Sequence, residues 1–254
     1  MELPRTPSFR LDGRRALVTG AGRGIGLAAA VALASAGAEV TLCARTTDEI
    51  SEAAEAIRTA GGRAVALTLD VTNPDVVRRA LETRPADHIL LNNAGTNRPC
   101  NFVDVSVADY DMIMRINLRA TFFVGQAAAR RMITEGVAGS IIQMSSQMAK
   151  VGAANRSVYC TSKAGLEGLT RAMAIDLAPH GIRVNTLCPT FIETPMTAPL
   201  FADATFLTSV LSKIKLGRLG TVEDVMGAVV FLASDAAALM TGSALMIDGG
   251  WTAD

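Results

Sequence analysis

A doubly wound α/β fold, one parallel sheet with helices on both faces in a single domain, is what the 254-residue sequence predicts. Apolar runs alternate with alanine-rich or amphipathic stretches along the chain, the order that builds a parallel sheet. Most of these runs are apolar at consecutive positions, which suits strands covered on both sides. Glycine-rich or polar clusters follow the strands, at the sheet edge where this architecture binds ligands.

RRALVTG (14–20) is a short apolar run closed by glycine, and the alanine-rich GLAAAVALASAG (26–37) follows at once, giving strand, turn and helix. AEVTLCAR (38–45) is a second β-branched run, and TDEISEAAEAIRTAGG (47–62) is an amphipathic helix with glycines at its end. The alternation continues through AVALTLDV (64–71), a helix near 74–84, HILLNNAG (88–95), a helix over about 106–132 and SIIQMSS (140–146). A helix over about 158–178, IRVNTLCP (182–189), a helix near 222–233 and ALMIDGG (244–250) complete it. Residues 189–216 are threonine-rich with weak periodicity, so they are expected to form a mobile segment covering the substrate. No repeat or linker divides the chain, and 1–254 is expected to be one domain.

Half the residues are hydrophobic and 19% are charged, which excludes a disordered chain. Lys plus Arg equals Asp plus Glu at 24 each, with no long run of one sign, so neither nucleic acid nor an anionic membrane is an expected partner. MELPRTPSFRLDGRR lacks the apolar core of a signal peptide, and no apolar stretch reaches the roughly 20 residues of a membrane span. Cys43, Cys100, Cys160 and Cys188 are scattered and form no CxxC pair, as in a cytoplasmic protein. Neither His88 nor His180 stands beside a cysteine or carboxylate pair, so no metal site is expected.

TGAGRGIG (19–26) joins the first strand to the first helix. Its spacing, Gly20-x-x-x-Gly24-x-Gly26 with Ile25 between, departs from GxGxxG but still lets backbone approach a pyrophosphate at a helix N-terminus. An acid at the end of the second strand would bind the ribose hydroxyls of NAD, whereas a base there accommodates a 2′-phosphate. Glu39 stands at the wrong end of that strand, while Arg45 follows its far end and Arg23 lies in the turn. This pair favours NADP(H), and Arg45 as a merely solvated loop residue would leave NAD(H) open.

In SVYCTSKAG (157–165), Tyr159 and Lys163 are one helical turn apart and share a face. Ordinary phenol ionises near pH ~10 and is a poor base at neutral pH. A nearby cation favours phenolate, which makes the pair a proton-transfer device. Taken alone, the two side chains would equally suit packing and solvation. TGAGRGIG, NNAG (92–95), Asn117, Ser146, Tyr159, Lys163 and CPTFIETPM (188–196), in this order, resemble the short-chain dehydrogenase/reductase family over nearly the whole chain.

The resemblance implies a Rossmann-type doubly wound sheet and a secondary alcohol/ketone oxidoreductase using a nicotinamide dinucleotide. It makes Tyr159 the general acid/base and Ser146 the group that holds the substrate oxygen. Lys163 lowers the phenol's pKa and binds the nicotinamide ribose, while Asn117 anchors a water in the proton relay. Gly20, Arg23, Gly24, Ile25, Gly26 and Arg45 would hold the phosphates, and Asp70 and Val71 would lie near the adenine. Asn92, Ala94 and Gly95 would line the cofactor, with Tyr159 and Lys163, and Pro189, Ile192 and Thr194 would meet the nicotinamide. Thr190 departs from the glycine usual after the proline.

Arg98, just past NNAG, and Arg156, three residues before Tyr159, are expected to border the substrate with Ser146, Gln147 and Tyr159. Arginine binds carboxylate through paired hydrogen bonds, which favours a polar acid, and Arg98 and SSQMAKVGAANRSVY resemble the family's gluconate and keto-deoxy-gluconate dehydrogenases. Either arginine would equally cap a loop or pair with a neighbouring subunit. The alternatives are a 3-oxoacyl thioester reductase and, from another class, a non-catalytic dinucleotide-binding sensor, against which the intact Ser146, Tyr159 and Lys163 argue. The resemblance also implies a homotetramer pairing the helices near 106–132 and 158–178. Ala127 to Ala129, Ala164, Gly165 and Gly168 suit either that contact or the sheet, and DGGWTAD (248–254) would approach a neighbour.

Overall fold

The structure, a computed structural model, describes residue 1 and residues 3–253; Asp254 of DGGWTAD lies outside the described residues. Seven strands form one sheet: β1 Arg15–Thr19, β2 Glu39–Ala44, β3 Arg63–Thr68, β4 Ile89–Asn92, β5 Ser140–Met144, β6 Arg183–Pro189 and β7 Ala244–Ile247. Their spatial order is β3-β2-β1-β4-β5-β6-β7, and every neighbouring pair is parallel. The direction of winding reverses between β1 and β4, which opens a crevice at their carboxyl ends.

The two-residue alternation of a strand feeds two cores at once. Val18, Leu42, Ile89 and Leu91 face one side with α1 (Gly24–Ser35), α2 (Thr47–Thr59) and α9 (Glu223–Ala233). Leu17, Cys43, Leu90 and Ile141 face the other with α3 (Pro74–Glu82), α5 (Thr121–Glu135) and α6 (Ser157–Leu177). Edge strand β3 is less enclosed, with Val65 exposed.

The helix expected over 106–132 is three pieces: α4 (Val107–Met114), a π-helical segment Arg115–Ala120 and α5. Ser106 starts α4 by accepting from the Asp109 N–H at 3.1 Å. The wider π turn carries Asn117, and such turns recur at functional sites. Residues 189–216, expected from their weak periodicity to form a mobile segment covering the substrate, hold α7 (Ala198–Phe201) and α8 (Ala204–Leu211), the latter capped by Asp203. Both helices are short, and an aromatic cluster packs around them: the Phe191 ring meets Phe201, Phe206 and Trp251 at 6.1, 5.6 and 5.7 Å. Helices this short depend on tertiary packing, so little of their existence is visible in local pattern.

Ala127, Ala128 and Ala129 are buried in the core within the chain, and a Cβ on Gly165 would stand 3.0 Å from Leu118. Ala164 and Gly168 stay exposed on α6. No helix among the described residues is long and apolar enough to cross a membrane, and among them no three His, Cys, Asp or Glu cluster as metal ligands.

Candidate active site

A cleft of about 400 Å³ runs across the carboxyl ends of β1 to β6, from Arg45 and Asp70 at one end to Ser146, Tyr159 and Lys163 at the other. A larger groove of about 1070 Å³ lies beside α1 and α2 and holds none of the expected catalytic residues; Ser146, Tyr159 and Lys163 line the smaller one.

The cleft floor is backbone brought close to backbone. Gly20 has φ +66°, and a Cβ on it would stand 2.9 Å from the Ala94 Cα. A Cβ on Gly26 would meet the Gly20 carbonyl oxygen at 2.1 Å, so only glycine allows α1 to start against this turn. Thr19 Oγ1 accepts from the N–H groups of Asn93 and Ala94 at 3.0 and 3.1 Å, and Asn93 Nδ2 donates to the carbonyls of Thr19 and Gly20 at 3.0 and 3.1 Å. The glycine turn and the NNAG turn are therefore one stitched unit. A wall without side chains before a helix N-terminus fits a pyrophosphate, so these residues suit a nicotinamide dinucleotide.

Gly20, Arg23, Gly24, Ile25, Gly26, Arg45, Asp70, Val71, Ala94, Gly95, Pro189, Ile192 and Thr194 all line the cleft. Asn92 does not. It is buried, donating to the Thr121 carbonyl at 3.3 Å while its Oδ1 has no partner, because strand alternation turns it toward α5 and leaves Asn93 beside the cleft. Arg23 stands 3.4 Å from Glu49, and Arg45 is exposed near Asp70. The Asp70 carboxyl is held below its usual pKa, first by the Thr72 N–H that it accepts at 2.9 Å.

Tyr159 and Lys163 lie one turn apart on α6, with the ammonium 5.6 Å from the ring centroid. Lys163 is buried and donates to the Met144 carbonyl at 2.7 Å, and burial lowers its pKa to about 8. Burial pushes the Tyr159 phenol up to about 12, against its interaction with Ser146, which lowers it. Ser146 follows β5; its Oγ accepts from the Met148 N–H at 3.2 Å and donates to Gln147 Oε1 at 2.8 Å. Asn117 is buried at the π turn, where Oδ1 accepts from the Thr96 N–H at 2.8 Å and Nδ2 donates to the Thr96 carbonyl at 2.9 Å and to Ser162 Oγ at 3.1 Å. Its side chain thus ties the loop after NNAG to α6.

The expected substrate residues divide. Gln147 and Arg156 are buried, whereas Arg98 is exposed and pairs with Asp109 at 2.7 Å. Sequence reasoning gave no role to Thr19 or Ser162, and of the two asparagines of NNAG it assigned the cofactor wall to Asn92 where the structure puts Asn93. The second asparagine of NNAG and the serine inside SVYCTSKAG were visible as polar residues, but their partners lie on other strands and helices. A proton carrier, an oxygen-holding hydroxyl and a lysine beside a dinucleotide-shaped cleft are the parts needed to move a hydride and a proton between an alcohol and a ketone.

The model of a family described as Enoyl-(Acyl carrier protein) reductase matches residues 20–252. The chain is 40% identical over 248 residues to gluconate 5-dehydrogenase of Gluconobacter oxydans, covering 96% of each chain. It is 39% identical over 245 residues to L-xylulose reductase of Bos taurus, covering 96% of this chain and 99% of that one. A gluconate 5-dehydrogenase from Burkholderia cenocepacia, solved in complex with NADP and tartrate, superimposes with TM-score 0.94 at 38% identity, covering 97% of this chain and 98% of the other. Fold, ordered motifs and these likenesses agree: the chain belongs to the short-chain dehydrogenase/reductase family of NAD(P)-dependent oxidoreductases.

Proposed function

We propose that this enzyme interconverts a secondary alcohol and a ketone on a sugar or sugar acid, with NADP(H) as the favoured cofactor and NAD(H) as the lesser one. One observation carries the reading: Ser146, Tyr159 and Lys163 meet at the end of a cleft whose floor suits a dinucleotide. The likeness to gluconate 5-dehydrogenase and L-xylulose reductase supports the substrate class, and Arg23 and Arg45 beside the cleft support NADP(H).

A nicotinamide dinucleotide bound there supplies or accepts the hydride, and the protein handles the proton. In oxidation, Tyr159 as phenolate takes the hydroxyl proton of the substrate while Ser146 holds the same oxygen. In reduction, neutral Tyr159 gives its proton to the carbonyl oxygen. Lys163 stabilises the phenolate and would hold the ribose of a bound dinucleotide, while Asn117 keeps the loop after NNAG against α6 and would anchor a water in the relay. Residues 189–216 would close over the substrate, and Ile192 and Thr194, which line the cleft, would help to hold the nicotinamide.

The enzyme works in the cytoplasm, a reading supported by four free cysteines. It assembles as a homotetramer through α4, α5 and α6, supported by the exposed Tyr110, Phe122 and Ile175. Light scattering reads the assembly, and truncation after Gly249 tests whether the C-terminal turn contributes.

A nicotinamide absorbance assay with NADP and NAD tests the function against sugar acids, free sugars, polyols and a 3-oxoacyl thioester. Tyr159→Phe is expected to remove nearly all sugar turnover and leave dinucleotide binding measurable. Turnover of the thioester alone would sink the substrate reading, and undiminished turnover in Tyr159→Phe would sink the mechanism.

A further inference from the structure

The reacting pair is flanked by two donors, on Arg156 and Gln147, that find few partners within the protein. Arg156, in the turn that starts α6, is 6% exposed. It has no carboxylate partner among the described residues, and its guanidinium donates only to the neighbouring Asn155 carbonyl, at 3.2 Å. A guanidinium has five N–H donors, so most of its capacity is unused. Tyr159 and Cys160 are the side chains that act on it electrostatically, and it stands at the N-cap of α6, three residues before Tyr159. Gln147 is 1% exposed, accepts from Ser146 through Oε1 at 2.8 Å and leaves Nε2 without any partner.

Leaving the buried Gln147 amide unpaired is costly, and the free guanidinium donors of Arg156 have capacity for an anion. Proteins keep such groups where a ligand completes them. Both missing partners here are acceptors, and a carboxylate offers about four acceptor sites in one plane. Asn97 Oδ1 and Thr190 Oγ1 are also buried without partners, and they match hydroxyl groups. Cys100 N–H donates to the Asn155 carbonyl at 3.1 Å, so the loop carrying Asn97 is pinned to the Arg156 turn. Arg98, by contrast, is mostly exposed and already neutralised at 2.7 Å by Asp109.

We propose that Arg156, with the Nε2 amide of Gln147, binds a carboxylate of the substrate beside Ser146 and Tyr159, and that the enzyme thereby selects a polyhydroxylated acid over the neutral sugar. This rests on the sugar or sugar-acid reading above and assigns its acid-recognising residue. Arg98 has no part in that selection.

The test compares kcat/KM for D-gluconate and for D-glucitol, the matching neutral polyol, in the wild type, Arg156→Gln, Arg156→Lys and Arg98→Gln. Calorimetric titration of D-gluconate into NADP-loaded protein accompanies it. Truncating one member of a buried charge pair costs roughly 10²- to 10³-fold. Arg156→Gln is expected to lower the gluconate-to-glucitol ratio by about that factor, mainly through KM, and Arg156→Lys to recover part of it. NADP titration of Arg156→Gln reports whether the variant is folded. A ratio that survives in Arg156→Gln, or one that collapses in Arg98→Gln instead, overturns the proposal. If the wild type turns over neither compound, the functional reading fails on activity. D-gluconate binding lost in Arg156→Gln then still upholds the anchor, and binding that is absent or unchanged overturns it.

Discussion

Lys163→Met should separate the electrostatic work of the lysine from its binding work. The phenol of Tyr159 is raised by burial to about 12, far above any working pH, so something in the site must favour phenolate. The Lys163 ammonium is 5.6 Å from the ring centroid, and at an effective dielectric of about 20 a unit charge at that distance stabilises its opposite by about 3 kcal/mol. That equals about 2 pKa units. The stabilisation exists only while the amine is protonated: burial lowers the Lys163 pKa to about 8, so it is complete below that pH and fades as pH rises through it. Methionine keeps the length and apolar stem but removes the charge. The pH profile of kcat for alcohol oxidation at saturating dinucleotide is the assay. Its alkaline-rising limb is expected to move up by about 2 units, with oxidation at neutral pH falling roughly 100-fold. Ketone reduction, which needs the neutral phenol, should fall less. A drop in kcat with the limb unmoved would refute the electrostatic argument and leave Lys163 as a ribose-binding group only.

Gly26→Ala places a methyl 2.1 Å from the Gly20 carbonyl oxygen; the start of α1 must shift, and NADP Kd is expected to rise at least about 10-fold by fluorescence titration, with a loss of roughly 1 to 3 kcal/mol in denaturant unfolding. Arg45→Ala should weaken NADP by about 10-fold while barely moving NAD, and equal losses for both would mean that Arg45 does not meet a 2′-phosphate. Trp251→Ala removes a ring from the cluster around Phe191, and hydrogen exchange should show α8 opening more readily, by roughly 1 to 3 kcal/mol. Substrate KM is then expected to rise more than dinucleotide Kd, whereas unaltered exchange in α8 would show that the aromatic cluster does not hold the segment.

The amino-acid sequence by itself determined the strand and helix order, the parallel sheet and the positions of the glycine turn, Ser146, Tyr159 and Lys163. These are local properties: apolar runs bounded by glycine, a one-turn spacing, a polar group at the end of a strand. Tertiary structure alone decided where side chains point once strands lie side by side. Asn92 and Asn93 look alike in the chain, and strand alternation sends the first toward α5 while the second binds the glycine turn. The π turn at Asn117 and the helices within 189–216 depend on partners distant in sequence, Thr96 and Ser162 in one case and Trp251 in the other. Arg98 and Arg156 were equal candidates for a carboxylate until folding placed Asp109 beside one and buried the other without a counter-charge. Charge pairing and desolvation are set by neighbours in space, so residue type and spacing were silent on that difference.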